Sequence, residues 1–334
     1  MNRPLLSIED LRVTFDTNEG GLTVVDGVSL SVNAGEILAV VGESGCGKSV
    51  TALSVLQLAG TNSRVSGGSI NFEGVDLTKL PADQIRQYRG KKISYIFQEP
   101  MTSLNPVLTI GEQIMEPLML HEGLSRKAAL KEAVRLLEMV NMPSPDVRVR
   151  EYPHQLSGGM RQRVMIAIAL SCKPALLIAD EPTTALDVTV QAQILELMEN
   201  LQKELQMAII LITHDMGVVA EFAHRVAVMY AGKVVEVAPA DAIFSQPGHP
   251  YTQALMRSIP AMDSDVERLP TLAGTVPSPA AMPAGCRFFD RCDFGIAECQ
   301  KTDPPMFGTG HEHTVACIRA EHVQCHFQRT QEKA

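Results

Sequence analysis

The chain alternates between short runs of apolar residues and longer stretches in which apolar residues recur at helical spacing. The apolar runs cover residues 37–41, 94–98, 175–180 and 208–213. Helical spacing follows over residues 51–58, 110–121, 125–140, 156–171 and 189–206. Short runs without polar interruption are typical of parallel strands that are buried on both faces. Strands that alternate with helices therefore predict an α/β fold built on a parallel sheet.

Two stretches near the start alternate between apolar and polar residues, over 5–15 and 22–32, with a Gly-Gly break between them. This period-two pattern predicts a pair of antiparallel strands at the edge of the domain. A glycine turn and a further short strand are expected at 67–72. Phe15 ends the first of these strands. Its ring either stacks on an adenine base or belongs to the core, and the sequence leaves both interpretations open.

Residues from about 100 to 163 differ from the rest of the domain because the pattern there is mainly helical. The amphipathic helix predicted over 125–140 carries Leu130, Val134 and Leu137 on one face. This stretch predicts a helical insertion within the α/β domain.

The strand at 37–41 is followed by GESGCGKS, residues 42–49, which fits the phosphate-binding pattern G-x-x-x-x-G-K-[ST]. Glycines let successive backbone N–H groups point inward, and the helix that begins there adds its positive end. Lys48 is expected to reach the β- and γ-phosphates, and Ser49 to bind Mg²⁺. The nucleotide-binding residues predicted here are Gly42, Ser44, Gly45, Cys46, Gly47, Lys48, Ser49 and Val50.

Polar residues stand at the ends of the other buried strands. Gln98 ends one strand, Asp180 and Glu181 end the next, and His214 follows a third. Ligands bind at the carboxyl ends of strands in open parallel sheets, so these residues predict one site. The alternative for the acidic pair is a helix cap, and for a single histidine a structural role or a solvated surface position.

The composition sets further limits. The chain has 334 residues, 45% of them hydrophobic, and a formal net charge of −9. The acidic balance argues weakly against a nucleic-acid surface. We find no apolar run of about 18 residues and no signal-peptide pattern at the start, so we expect a soluble, cytosolic protein.

The ordered set of motifs resembles the ATP-binding-cassette (ABC) ATPases. The residues that carry this resemblance are GESGCGKS at 42–49, Gln98, LSGGM at 156–160, LLIADE at 176–181, Ala185-Leu186-Asp187 and His214. The resemblance implies a P-loop NTPase with a RecA-like parallel sheet, an antiparallel β edge and a helical insertion. Met160 departs from the family, which usually has Gln at that position.

The resemblance also implies roles. Asp180 would hold Mg²⁺ and Glu181 would act as general base. Gln98 would contact Mg²⁺ or the attacking water and couple to a membrane partner. His214 would contact the γ-phosphate. Two such chains would face each other head to tail, so that the phosphate loop of one meets the signature residues of the other, which are Ser157, Gly158 and Gly159.

The part of the chain after residue 240, here called the tail, narrows the resemblance to one subfamily. QPGHPYT at 246–252 and GCRFFDRC at 285–292 are similar to the C-terminal extension of ATPase subunits from dipeptide and oligopeptide importers. We therefore expect a nucleotide-binding domain over 1–240 and an extension over 241–334. The implied partners are two transmembrane permease subunits, a second ATPase copy or paralogue, and an extracytoplasmic peptide-binding protein. The implied location is the cytoplasmic side of the plasma membrane.

Five of the seven cysteines lie in the tail. In a reducing cytosol such clustered thiols more often bind metal than form disulfides. The absence of close C-x2–4-C pairs counts against zinc. The family resemblance implies a [4Fe–4S] cluster, with Zn²⁺ and then free thiols as the alternatives. The proposed ligands are Cys286, Cys292, Cys299 and Cys317, with Cys325 as a bystander. Such a cluster would order a tail that is expected to be rich in loops and to lack a large core.

Three functions remain in competition. The first is the ATPase of a peptide importer, with nickel or other small ligands as alternative cargo. The second is a soluble cassette ATPase that acts on nucleic acid, which the acidic charge and the single cassette disfavour. The third is an ATP-regulated iron–sulfur scaffold.

Overall fold

The computed structural model describes residues 3–18, 20–98, 103–184, 186–257 and 272–331. The strands are β1 (Leu6–Thr17), β2 (Gly20–Val32), β3 (Ile37–Val41), β4 (Ser63–Phe72), β5 (Val75–Asp76), β6 (Ile93–Ile96), β7 (Leu176–Asp180), β8 (Ala208–Thr213), β9 (Arg225–Tyr230), β10 (Lys233–Pro239), β11 (Phe307–Gly310) and β12 (His313–Val315). The helices are α1 (Lys48–Val55), α2 (Ala82–Ile85), α3 (Ile110–Glu122), α4 (Arg126–Met139), α5 (Pro145–Arg148), α6 (Gly158–Leu170), α7 (Val188–Leu205), α8 (Met216–Phe222), α9 (Ala240–Ser245), α10 (Pro250–Arg257) and α11 (Ala320–Gln331). Short 3-10 turns lie at Leu77–Lys79, Pro153–Gln155, Pro279–Ala281, Phe289–Arg291 and Ala297–Gln300.

Some of the sequence predictions fall outside these residues. They are the start of the helical insertion at 100–102, Ala185 of the Ala-Leu-Asp motif, and residues 258–271 and 332–334 of the predicted extension. The boundary expected at residue 240 and the insertion over 100–163 stay predictions. By packing, the described residues form two compact units, the first within 1–32, 37–78 and 213–334, the second within 33–36 and 79–212.

The first unit contains an antiparallel sheet with the strand order β2-β1-β4-β5. The predicted pair β1 and β2 is confirmed, with Leu6 opposite Val32 and Phe15 opposite Leu22. β4 is longer than the sequence indicated because it pairs with β1 from Ser63 to Phe72. The residues before Gly67 are mostly polar, which hid the start of this strand from the apolar pattern.

The first unit also contains β3, which runs parallel to β9, while β9 pairs antiparallel with β10. The tail adds to this sheet, since β12 pairs with β10 and β11 with β12. The expectation of a tail without a large core is wrong. Tyr251 and Phe288 are buried in one cluster with residues of β3 and β9, so the tail is ordered by apolar packing and strand pairing.

The second unit is built on the parallel strands β6, β7 and β8, as the apolar runs predicted. Its helices begin where capping residues stand. Thr109 and Glu112 form a capping box at the start of α3, and Ser125 and Asp187 cap α4 and α7. α3 ends at Gly123, whose positive φ of 65° favours glycine. Over the described residues, none of the helices is long and apolar enough to cross a membrane.

Candidate functional site

The predicted phosphate loop, residues 42–49, lies in the first unit, between the fully buried strand β3 and helix α1. Gly42 has φ 152°, and a Cβ there would lie 2.2 Å from the backbone oxygen of Met229 on β9. Gly47 has φ 102° and forms the N-cap of α1. Glycine at these two positions therefore lets the loop pack against β9 and turn directly into the helix.

Lys48 is the cation of this loop. It is 6% exposed, and its Nζ donates hydrogen bonds to the backbone oxygens of Gly42 at 2.7 Å and Glu43 at 3.0 Å. Ser44 and Gly45 lie exposed at the crest, and the space where a Cβ of Gly45 would stand is open. Basic charge, an open crest and a helix N-terminus together fit an anionic phosphate chain.

The remaining loop residues support this arrangement. Cys46 is fully buried, and its backbone oxygen accepts a hydrogen bond from the N–H of Gly232 at 2.9 Å. Burial raises the pKa of the Cys46 thiol, so it contributes packing rather than charge. Ser49 and Val50 lie half-buried in the first turn of α1. A serine hydroxyl at this position has the chemistry of a Mg²⁺ ligand.

The acidic pair lies in the second unit. Asp180 ends β7 and is buried. Its Oδ2 accepts a hydrogen bond from the hydroxyl of Tyr95 at 2.8 Å. Its Oδ1 is buried and has no hydrogen-bond partner within the part of the chain that the structure describes. A buried carboxylate oxygen of this kind fits a divalent cation.

Glu181 is held differently. Its φ is 47°, and its N–H donates to the backbone oxygen of Ile212 at 2.9 Å. Its Oε2 accepts from the side-chain amide of Gln98 at 2.8 Å and from the hydroxyl of Thr184 at 2.9 Å. The sequence suggested Mg²⁺ or water as the partner of Gln98, whereas in this conformation its amide bonds to the carboxylate. The sequence did not predict Tyr95 and Thr184 as site residues, although Tyr95 lies three residues before Gln98 and Thr184 three residues after Glu181.

The signature residues open helix α6. Ser157 is the N-cap, and its Oγ accepts from the N–H of Met160 at 3.4 Å. A Cβ on Gly159 would lie 2.8 Å from Cγ1 of Val190 on α7, so a larger residue would displace the Val190 side chain. Ser157 and Gly158 are exposed. Their exposure leaves the N-terminus of α6 accessible.

Two further predicted residues lie in the first unit. His214 is exposed and follows β8 directly. Phe15 is half-buried on β1, opposite Leu22 on one side and Ser63 on the other. The roles expected for both residues stay predictions.

The iron–sulfur prediction is wrong. Across the described ranges, no group of three or more His, Cys, Asp or Glu side chains is arranged to hold a metal ion. Cys286, Cys292, Cys299 and Cys317 border one small apolar cavity with Phe288. Burial raises the pKa of Cys292 to about 11 and that of Cys317 to about 12, so both are neutral thiols near pH 7. The zinc alternative fails on the same geometric ground, because a structural zinc site also needs several such side chains brought together, and none of the described residues form such a group.

Comparison with known proteins agrees with the geometry of the loop and the strand ends. Residues 25–184 match the family model described as ABC transporter, and residues 235–299 match the oligopeptide/dipeptide transporter C-terminal region. A peptide import ATP-binding protein from Brucella abortus (strain 2308) is 53% identical over 307 residues, 92% of each chain. The chain belongs to the ABC ATPases. Another relative in this family is the oligopeptide transport ATP-binding protein AppD of Bacillus subtilis (strain 168), 50% identical over 95% of this chain and 97% of AppD.

Solved ABC cassettes share the fold. One is a dimeric cassette in a post-hydrolysis state bound to ADP and Pi, with a TM-score of 0.64 and 28% identity over 70% of this chain and 98% of that one. Another is the cbiO1 cassette of the cbiONQ transporter complex from Clostridium perfringens, with a TM-score of 0.62 and 25% identity over 73% of this chain and 91% of that one. These likenesses confirm the predicted α/β cassette fold.

Proposed function

We propose that this chain binds and hydrolyses ATP to energise a membrane importer of peptides. The observation that carries the proposal is the presence in one chain of two features. One is the Lys48 loop of an ABC cassette, and the other is a segment, 235–299, that matches the oligopeptide/dipeptide transporter C-terminal region. The names of the relatives from Brucella and Bacillus support peptides as the cargo.

The loop at 42–49 holds the phosphates of ATP in this proposal. Lys48 exchanges its two backbone carbonyl partners for phosphate oxygens, which are stronger acceptors for an ammonium group. Ser49 and Asp180 hold Mg²⁺, which neutralises charge on the phosphates when it is bound. Phe15 stacks on the adenine and His214 contacts the γ-phosphate.

Hydrolysis depends on Glu181, which takes a proton from the attacking water as general base. Gln98 and Thr184 orient its carboxylate through the hydrogen bonds at 2.8 and 2.9 Å. Phosphoryl transfer needs little more from a protein than positioning and charge stabilisation, and this set of residues supplies both.

The chain works in this proposal as part of an assembly on the cytoplasmic face of the plasma membrane. Two transmembrane permease subunits form the path, and an extracytoplasmic peptide-binding protein delivers the cargo. A second ATPase subunit, a copy or a paralogue, places its Ser157, Gly158 and Gly159 against the nucleotide. Nickel or another small ligand is the alternative cargo, because ligand selection belongs to the other subunits.

The assignment of the loop is tested by substituting Lys48. We expect Lys48→Ala to lose most MgATP affinity and turnover, measured by calorimetry and phosphate release. Lys203→Ala is the matched control, since that exposed lysine bonds to Glu199 on α7. Near-normal ATP binding by the Lys48 variant would refute the nucleotide site.

The transport role is tested in proteoliposomes that contain the complete complex purified from membranes. We expect ATP-dependent uptake of labelled di- and oligopeptides, and no uptake with the Lys48→Ala chain. Uptake of a nickel chelate without peptide uptake would select the alternative cargo. Co-purification with nucleic acid instead of membrane proteins would overturn the importer.

A further inference from the structure

The tail is hydrogen-bonded to Glu43 of the phosphate loop. Arg291 donates two hydrogen bonds to the Glu43 carboxylate, from Nη1 to Oε2 at 2.7 Å and from Nη2 to Oε1 at 2.9 Å. Tyr251 accepts a hydrogen bond from the backbone N–H of Glu43 at 2.8 Å through its hydroxyl. Both the side chain and the backbone of Glu43 are therefore held by residues of the tail.

These contacts are sheltered from water. The Arg291 side chain is 6% exposed and that of Glu43 29%. A planar guanidinium that meets a carboxylate through two parallel bonds is a strong and directional pair. The hydrogen bonds with Glu43 raise the pKa of Arg291 above its ordinary value, so the guanidinium stays charged.

An aromatic cluster fixes the two tail residues in place. The rings of Tyr230, Tyr251 and Phe288 lie with centroids 4.7 to 5.4 Å apart, and all three are buried. Tyr230 belongs to β9, the strand against which Gly42 packs. The Arg291 guanidinium lies 5.7 Å from the Tyr230 ring centroid and 5.9 Å from that of Phe288. Arg291 is thus aimed at the loop by packing before any nucleotide binds.

Glu43 connects the tail to the loop cation. Its backbone oxygen accepts from Nζ of Lys48 at 3.0 Å, while its N–H and carboxylate bond to Tyr251 and Arg291. Without Arg291, the loop would carry an unneutralised carboxylate next to a site for polyphosphate. The carboxylate and the phosphates are both negatively charged and would repel each other, and the repulsion grows with the charge on the nucleotide.

We infer that Arg291 and Tyr251 are positioning residues for the phosphate loop, through which the tail sets the affinity of the cassette for ATP. The inference rests on the proposed function, because it needs residues 42–49 to bind nucleotide. It differs from a purely structural role for the tail, since it assigns the effect to one ion pair and one hydrogen bond.

The test measures MgATP and MgADP dissociation constants, together with kcat and KM, for the full chain. Arg291→Gln should weaken MgATP binding about tenfold and MgADP binding less, with kcat at saturating ATP nearly unchanged. Tyr251→Phe keeps the ring and should weaken both severalfold. Arg319→Gln is the matched control, since it removes the same charge from the tail but bonds to the backbone oxygen of Phe294.

A double substitution distinguishes an effect of the ion pair on ATP affinity from an effect of lower protein stability. Adding Glu43→Gln to Arg291→Gln should recover part of the lost affinity, because the unpaired carboxylate is gone. Glu43→Gln alone removes the carboxylate while Arg291 keeps its charge, so it should weaken MgATP binding less than Arg291→Gln does. An equal loss in Arg319→Gln, or no loss in either Arg291→Gln or Tyr251→Phe, overturns the inference. Lys48→Ala in the same assay distinguishes this from failure of the nucleotide site, because that variant loses binding whenever the loop is the site.

Discussion

The side-chain amide of Gln98 donates a hydrogen bond of 2.8 Å to Oε2 of Glu181, the oxygen that also accepts from Thr184 at 2.9 Å. The proposed general base is therefore held by two neutral donors on one oxygen. Gln98 lies exposed two residues beyond β6, while Glu181 is fixed through its backbone bond to Ile212. Movement of the Gln98 segment would change the orientation of the base directly.

We expect Glu181→Gln to bind MgATP normally and to hydrolyse it about 10² to 10⁴ times more slowly, because the amide cannot take the proton from water. The shape of the side chain and its contact with Thr184 are kept. Single-turnover phosphate release measures the rate, and calorimetry measures binding. Lost ATP binding with an unchanged rate at saturation would exclude Glu181 as the base.

Gln98→Ala removes one of the two donors to Glu181. We expect kcat to fall about tenfold with ATP affinity unchanged, since a hydrogen bond to a charged group is being lost. In the Glu181→Gln background the same change should add little, because Gln98 is proposed to act through that carboxylate. Fully additive effects in this cycle would show that Gln98 acts elsewhere.

Tyr95→Phe tests the support of the proposed Mg²⁺ ligand. The change leaves buried Asp180 without its 2.8 Å hydrogen bond, and its other oxygen already lacks a partner among the described residues. We expect the free energy of unfolding without nucleotide to fall by about 1–3 kcal/mol. MgATP should restore more stability in the variant than in the wild type, because the cation gives Asp180 a partner. Thermal unfolding with and without MgATP measures this, and equal stabilisation of both proteins would contradict it.

Most of the fold could be predicted from the sequence, because apolar runs and capping residues mark strands and helices locally. The run at 208–213 matches β8 residue for residue, and Ser125 marks the start of α4 as its N-cap. β9 and β10 were missed although their signal is local, since they are two apolar runs that pair with each other across Ala231 and Gly232. The tail was misjudged for a different reason, because Phe288 joins a core cluster with residues of β3 and β9 that lie far from it in the chain.

The sequence predicted which residues form the site better than it predicted the contacts between them. The loop pattern predicted Lys48 and the glycines because a phosphate site requires those residue types at that spacing. Nothing in the spacing indicates that Arg291 meets Glu43, which lies 248 positions earlier in the chain. The cysteines were misassigned because their spacing along the chain does not show whether the side chains come together in an arrangement that can hold a metal, and among the described residues they do not.

Ser157→Arg tests the proposed head-to-tail pairing of two ATPase subunits. We expect the isolated chain to bind ATP normally and the assembled transporter to lose hydrolysis, because a bulky cation would occupy the γ-phosphate position of the other subunit. The change also removes the N-cap of α6, which costs about 1 kcal/mol. Ser157→Ala removes the hydroxyl, and with it the cap, without adding bulk or charge, and should therefore impair hydrolysis less than Ser157→Arg. Unchanged turnover in the Arg variant of the complex would refute the pairing.

A buried histidine joins the tail to the body of the first unit. His249 is 1% exposed, its ring Nδ1 accepts from the backbone N–H of Tyr251 at 3.1 Å, and its backbone N–H donates to Oε2 of Glu236 at 2.9 Å. Glu236 is fully buried and also bonds to Nε2 of His313 at 2.7 Å. Burial lowers the pKa of His249 to about 4, with the charge of Glu236 opposing the shift.

This shift predicts how stability depends on pH. The pKa of His249 is about 4 in the folded chain and 6.5 in its ordinary state, so the unfolded chain binds more protons between these values. The contribution of His249, about 3 kcal/mol, is complete above pH 6.5 and is lost as the pH falls towards 4. Urea unfolding at steps from pH 7.5 to 4.5 should show a shallower decline for His249→Asn, whose amide oxygen takes the place of Nδ1 without titrating. His311→Gln, at an exposed position, should decline like the wild type. Parallel curves for the wild type and the His249 variant would show that this histidine does not link folding to pH.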